Sequence, residues 1–176
     1  MRKKKRGFTL IELIVAMAVL GIAMAAAVPS FQGMIARNRI ATQVNDMILA
    51  INLARSEAMR IGSTVSVVGA SPANTADEFG GGFCVATGAP SDCSGTTVLR
   101  RWPELAGADT TFDLVDAGGA VRIEFSSRGG VRNFSQQAQV DLCYPGQDGR
   151  RIHINLIGRS KSHRPGDPDA NKRPDC

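Results

Sequence analysis

From Phe8 to Val28 the chain is apolar apart from Thr9 and Glu12, and Leu13 to Val28 lies within its longest run without a charge. Such a run reads as a helix that crosses a bilayer of roughly 30 Å, with little to spare at about 1.5 Å per residue. The basic cluster Arg2 to Arg6 ahead of it predicts a cytoplasmic N-terminus. Beyond Pro29 the pattern turns amphipathic. Ile40, Val44, Met47, Ile48, Ile51, Ala58 and Ile61 recur at helical spacing, with Arg37, Arg39, Arg55, Glu57 and Arg60 mostly elsewhere. Gly62 supplies a C-terminal stop, so Phe8 to Ile61 reads as one helix of about 80 Å whose second half packs on a sheet. Pro29 lacks an N–H and, with Gly21 upstream, weakens the helix where a kink is tolerated.

After Gly62 the period shortens. Thr64 to Val68, Gly82 to Ala86, Thr97 to Trp102, Val121 to Phe125, Val140 to Tyr144 and Arg151 to Ile157 are short alternating or apolar runs broken by Gly, Pro, Asn and Asp. They read as antiparallel strands. In the last, Ile152, Ile154 and Leu156 face one way, and Arg151, His153 and Asn155 form a solvated opposite face. Gly69 to Gly82 and Gly88 to Gly95 are loops. The organisation expected is therefore residues 1–7 as a leader, 8–29 as a membrane or filament-core helix, 30–62 as its amphipathic continuation, and 63–176 as a β-rich part with a basic tail.

A chain of 176 residues with 43% hydrophobic side chains has the size of one domain with a real core. The formal charge of +5 comes from the leader: without its five basic residues, 16 of the 21 Lys and Arg remain against 16 Asp and Glu. The rest is polarised, because residues 149–176 hold seven basic and three acidic residues and residues 8–148 hold nine and thirteen. Any anion-binding surface belongs to the tail. Cys84, Cys93, Cys143 and Cys176 include no C-x-x-C pair, so disulfides are favoured over zinc. Three pairings are open, and two local bridges, Cys84 with Cys93 and Cys143 with Cys176, are the economical choice. Such bridges persist in a periplasmic or extracellular setting.

Glu12 is the residue that separates two readings of the N-terminus. Ala25-Ala26-Ala27 could serve a secretory signal peptide as a cleavage site, but a carboxylate in a membrane helix costs about 2.5–3.5 kcal/mol at the centre and calls for a partner. The stretch Lys5-Arg6-Gly7-Phe8-Thr9-Leu10-Ile11-Glu12-Leu13 resembles the class III signal of type IV prepilins and type II secretion pseudopilins. That resemblance implies cleavage by a membrane-embedded prepilin peptidase between Gly7 and Phe8, retention of the apolar helix, and methylation of the Phe8 amine. It also implies that Glu12 meets the N-terminus of a neighbouring subunit during assembly, a pairing that would compensate its burial and set register.

A second resemblance, to minor pilins and pseudopilins of the GspH/FimT type, rests on Asn52-Leu53-Ala54-Arg55-Ser56-Glu57-Ala58, Phe125-Ser126-Ser127-Arg128-Gly129, Leu142-Cys143, and Ile154 to Arg159. It implies an α+β, type IV pilin-like ladle, with a long N-terminal helix packed on an antiparallel β-sheet. It also implies a minor pilin in the tip or initiation complex, with other minor and major pilins and the inner membrane as partners. The subunit would pass from a single-pass inner-membrane state into the filament. A GspH-type pseudopilin of type II secretion is the alternative. FimT-type proteins of some competent bacteria bind DNA through a C-terminal Gly-Arg-x-Arg motif, and Gly158-Arg159-Ser160-Lys161 is the matching stretch. Lys161 in the last position keeps charge but loses the bidentate fork.

With Arg164, Lys172, Arg173, Arg150 and Arg151, this tail could hold duplex phosphates without sequence preference. A solvated tail partly offset by Asp167, Asp169 and Asp175 is the competing reading. The absence of aromatic residues after Tyr144 speaks against single-strand stacking. No hydrolase, P-loop or zincin motif is present, His153 and His163 read as a surface strand residue and a tail residue, and no catalytic residue, metal or cofactor is expected. A secreted enzyme is the remaining and least supported alternative. Gly7→Ala should block leader removal, so that the chain migrates at precursor size on a denaturing gel; processing at the normal rate would remove Gly7 from the cleavage signal.

Overall fold

The computed structural model describes residues 8–70, 77–105, 110–115 and 121–163, without the side chains at 26 and 28–30. The leader, with Gly7, and residues 164–176 lie outside this description. The chain divides into two units, Met1–Arg37 and Asn38–Cys176. One helix, α1, runs Leu10–Ile61 and continues through Pro29. It ends where expected, at Gly62, whose φ of 68° places it in the left-handed region that glycine tolerates best.

Within the second unit, Ile40, Val44, Met47, Ala50, Ile51, Ala54 and Ala58 of α1 are all buried. Their spacing makes a continuous stripe, and the alanines at 50, 54 and 58 fall on one row of the helix where a small side chain allows close packing. The stripe belongs to a single core with side chains from two four-stranded sheets. The first sheet contains β1 (Val65–Gly69), β2 (Phe83–Thr87), β3 (Val98–Trp102) and β5 (Arg122–Phe125), in the order β3-β2-β1-β5. The second contains β4 (Thr111–Val115), β6 (Ala138–Tyr144), β7 (Gln147–Ile154) and β8 (Ser160–His163), in the order β4-β6-β7-β8. Every pairing is antiparallel. Phe83 stacks on Trp102 with centroids 5.2 Å apart, and Phe79 meets Phe83 and Phe112 edge-on.

The α+β fold and the antiparallel strands match the sequence reading, with three corrections. β4 was not expected; its period-2 signal amounts to Phe112 and Leu114 alone, both buried. β8 lies in the segment expected to be a basic tail, because Ser160-Lys161-Ser162-His163 contains no aliphatic side chain. It is held instead by backbone pairing with β7, from Ile154↔Ser160 to Arg151↔His163. β7 itself ends at Ile154, so Leu156 lies in the turn and is exposed, while Arg151 is buried and not on a solvated face. Between β6 and β7 the turn is Pro145-Gly146, with Tyr144↔Gln147 as the closing pair and φ of 70° at Gly146, as a type II turn requires.

Cys84 and Cys93 form the expected local disulfide. With Val68 and Ala86 they build a second small cluster on the face of the first sheet opposite Val65 and Val67. Cys143 is also disulfide-bonded; Cys176, its expected partner, lies outside the described residues. The double variant Cys84→Ser/Cys93→Ser should lose about 2–3 kcal/mol of stability, the entropy of a loop of this length, read from urea unfolding under oxidising conditions. An unchanged midpoint would mean that the bridge constrains nothing in the unfolded chain.

Candidate functional site

The first unit presents the chemistry of the N-terminus. Thr9 precedes α1 and its hydroxyl accepts the Glu12 N–H at 3.3 Å, while the Glu12 carboxylate accepts the Thr9 N–H at 3.5 Å. This reciprocal pair is a capping box, a feature that the Thr-x-x-Glu spacing signals in the sequence. Glu12 also places a negative charge at the positive end of the helix dipole. Phe8 is 85% exposed, and Leu10, Ile11, Leu13, Ile14, Val15, Met17, Val19, Leu20, Ile22 and Met24 are exposed all round the helix. A water-facing helix has a polar side; this one has apolar side chains on every face. Among the described residues no helix is long and apolar enough to cross a membrane; the expected span continues through positions 26 and 28, whose side chains are not described.

In the second unit, the residues expected to bind phosphate separate. Arg159 and Lys161 are exposed and make no ion pair among the described residues. Arg150 is half-buried, and as neighbours on β7 it and Arg151 point to opposite faces of the sheet. Arg151 is withdrawn from the set: 5% exposed, it donates from Nε to Asp141 Oδ1 at 2.6 Å and from Nη2 to Asp141 Oδ2. Its charge is balanced where a phosphate cannot reach it. Arg164, Lys172 and Arg173 lie outside the described residues.

Asp141 and Arg151 belong to a row that crosses the second sheet. The register aligns Asp113 with Asp141, Asp141 with Arg151, and Arg151 with His163, so one face carries ionisable groups on four adjacent strands. Glu78 joins it at the β4 end. Burial, and then the hydrogen bond and negative charge of Glu78, push the Asp113 carboxyl up to about 6. At the other end His153 and His163, expected to lie apart, have ring centroids 4.7 Å apart. Burial first, then the charges of His163 and Arg151, pull His153 below the usual imidazole value, so at neutral pH it adds no positive charge beside Lys161.

Three of the four segments that carried the second resemblance meet at one place; Leu142-Cys143 lies apart on β6. Arg55 of α1 donates from Nε to the Gly129 carbonyl at 3.1 Å. Gly129 and Gly158, both with left-handed φ, are in backbone contact: a Cβ on Gly158 would sit 2.1 Å from the Gly129 carbonyl oxygen and 3.1 Å from the Arg55 side chain. The Val131 N–H reaches the Leu156 carbonyl at 2.9 Å, and the turn carrying Arg159 is closed by Asn155, whose Oδ1 accepts the Arg159 N–H at 2.8 Å. Arg55, Gly129 and Gly158 are thus a structural junction that clamps two turns to the helix. Spacing along the chain gives no sign of it, since Arg55 and Gly129 are 74 residues apart.

Residues 43–158 match the family described as "Type II transport protein GspH", and residues 2–28 match the "Prokaryotic N-terminal methylation motif". A fimbrial protein of Pseudomonas aeruginosa is 35% identical over 78 residues, 44% of this chain and 49% of the relative; the chain thus spans about half the length of that protein. Among solved structures, the type IV minor pilin FimU of Pseudomonas aeruginosa shares the fold, with a TM-score of 0.62 and 18% identity over 79% of this chain and 95% of that one. The minor pseudopilin EpsH from the type 2 secretion system of Vibrio cholerae does so with a TM-score of 0.52 and 13% identity over 73% and 99%.

The acidic end of the row makes a pH prediction. Because the folded-state pKa of Asp113 lies above its ordinary 3.8, folding favours the protonated form. Its contribution to stability is complete below about 4 and is lost as pH rises through about 6. The difference in urea midpoint between Asp113→Asn and the parent should therefore grow from pH 4 to pH 6.5, in favour of the variant. A constant difference would show that Asp113 does not titrate there.

Proposed function

We propose, starting from the fact that this chain belongs to the GspH family, that it is a non-catalytic filament subunit. It is a minor pilin of a type IV pilus, cut between Gly7 and Phe8, held in the inner membrane by the first half of α1, and then moved into the filament at the tip or initiation complex. The observation that carries this reading is the exposure of apolar side chains on all faces of α1 from Leu10 to Met24. In water such a helix is unstable as a free surface; lipid and the helices of neighbouring subunits are the two environments that would cover it. A pseudopilin of a type II secretion machine would use the same helix in the same way. The two differ in the consequence of deletion, loss of sheared pili in one case and retention of secreted proteins in the periplasm in the other.

Glu12 has two roles that can be pulled apart. As the last residue of the capping box it stabilises its own helix start, and as a buried anion it would attract the Phe8 amine of a neighbouring subunit. Glutamine serves a capping box but carries no charge. Glu12→Gln should therefore keep the helix content of the purified chain in micelles, leave processing intact, and lower its amount in the sheared filament fraction at least tenfold. Normal incorporation of Glu12→Gln, with a defect confined to Glu12→Ala, would assign Glu12 to capping alone.

Binding of duplex DNA is a second reading, favoured by the exposed Arg159 and Lys161, which make no ion pair among the described residues, with Arg150, Arg164, Lys172 and Arg173 as further candidate contacts. Phosphate contacts of this kind are sequence-tolerant and salt-sensitive. If the reading holds, the full chain in detergent micelles binds a 30-bp duplex at low salt, and Arg159→Gln/Lys161→Gln reduces the slope of log affinity against log salt by about 2. Affinity and slope unchanged in that variant would leave these residues as solvated surface.

A further inference from the structure

In the unit Asn38–Cys176, five large hydrophobic side chains are exposed among the described residues: Leu49, Met59, Leu99, Leu156 and Ile157. Three of them surround the junction of Arg55, Gly129 and Gly158. Met59 stands against Gly129, with its sulfur 2.9 Å from where a Cβ on that glycine would lie. Leu156 and Ile157 precede Gly158 in the turn after β7 and are 46% and 61% exposed. Arg128 immediately precedes Gly129, and Arg159 immediately follows Gly158. Both are exposed, and neither makes an ion pair among the described residues.

We propose that this patch is a docking surface for a second pilin-type subunit, one that presents apolar side chains ringed by carboxylates. It rests on the filament-subunit reading for the kind of partner, and on the junction for its geometry. Two properties select a protein over a nucleic acid. Met59, Leu156 and Ile157 offer nothing to a phosphate, whereas apolar side chains at the centre with arginines at the margin are the usual composition of a protein interface. The patch is also pre-organised: the Arg55 to Gly129 hydrogen bond, the Val131 to Leu156 backbone bond and the Asn155 closure hold its two turns before any partner arrives. Little ordering entropy is then lost on binding. The exposed charge of Arg128 and Arg159, without an ion pair among the described residues, sets the sign of the partner, since carboxylates opposite them would satisfy both.

The test uses the full chain in cells that assemble filaments, with the photo-crosslinking residue p-benzoylphenylalanine at Ile157 or, as a control, at Leu99, which is 45% exposed but stands apart on β3. Expected is a crosslink from position 157 to a protein that mass spectrometry identifies as carrying its own prepilin signal. It should be absent from position 99 and reduced at least tenfold by Arg128→Glu/Arg159→Glu. That double variant replaces exposed side chains, and an unchanged thermal midpoint would show it still folded. A chain present in the sheared filament fraction that yields no pilin-type crosslink from position 157 would overturn the docking surface and leave the filament reading standing. A chain absent from that fraction would overturn both. Loss of duplex binding in the charge-reversed variant, without any pilin-type crosslink, would assign the patch to DNA and likewise end the proposal.

Discussion

One helical stripe organises the second unit. Residues Ile40 to Ala58 of α1 supply the buried side chains that both sheets share, and without that shared partner neither sheet has a dry face. A four-stranded antiparallel sheet needs something to cover its apolar side. Here Val65, Val67, Val85, Ile123 and Phe125 of one sheet and Phe112, Val140, Leu142, Ile152 and Ile154 of the other meet the same helix in one cluster. Alanine at positions 50, 54 and 58 is as important as the larger residues, because a bulkier side chain on that row would press into a core with no space for it.

The same helix has two different solvents. From Ile40 onward one face of apolar side chains, Ile40 to Ala58, is inside the protein; from Leu10 to Met24 apolar side chains lie on all faces and are exposed. The change in pattern, not a change in secondary structure, separates the part that folds with the sheets from the part that needs lipid or other helices. A capping box at Thr9 and Glu12 starts this second kind of surface with a carboxylate that is satisfied locally and can be offered to a neighbour.

On the opposite face of the second sheet the organising force is electrostatic. Asp113, Asp141, Arg151 and His163 sit on adjacent strands of one row, and the Asp141–Arg151 pair is nearly inaccessible to water. Burial of this kind stabilises little by itself but makes any other register costly, since a slip by one residue would leave a charge without its partner. It also explains why a count of basic residues overstates the anion-binding capacity of the C-terminal region: Arg151 is committed within the fold.

The prepilin-like signal, the helix and its stop at Gly62, the local Cys84–Cys93 bridge and six of the eight described strands were legible in the sequence because each depends on neighbours a few residues apart: a motif, a period of 3.6 or 2, a short loop. The sequence also located the segments containing Arg55, Gly129 and Gly158, though not what they do together. β8 could not be read, because it has no apolar alternation and exists by pairing with β7. The burial of Arg151, the meeting of His153 with His163, the division into two sheets and the contact of two glycine turns beneath Arg55 were decided by tertiary structure alone. Each brings together groups from different strands or from opposite ends of the chain, and which partners meet depends on how the sheets stack on the helix, a quantity that no local pattern encodes.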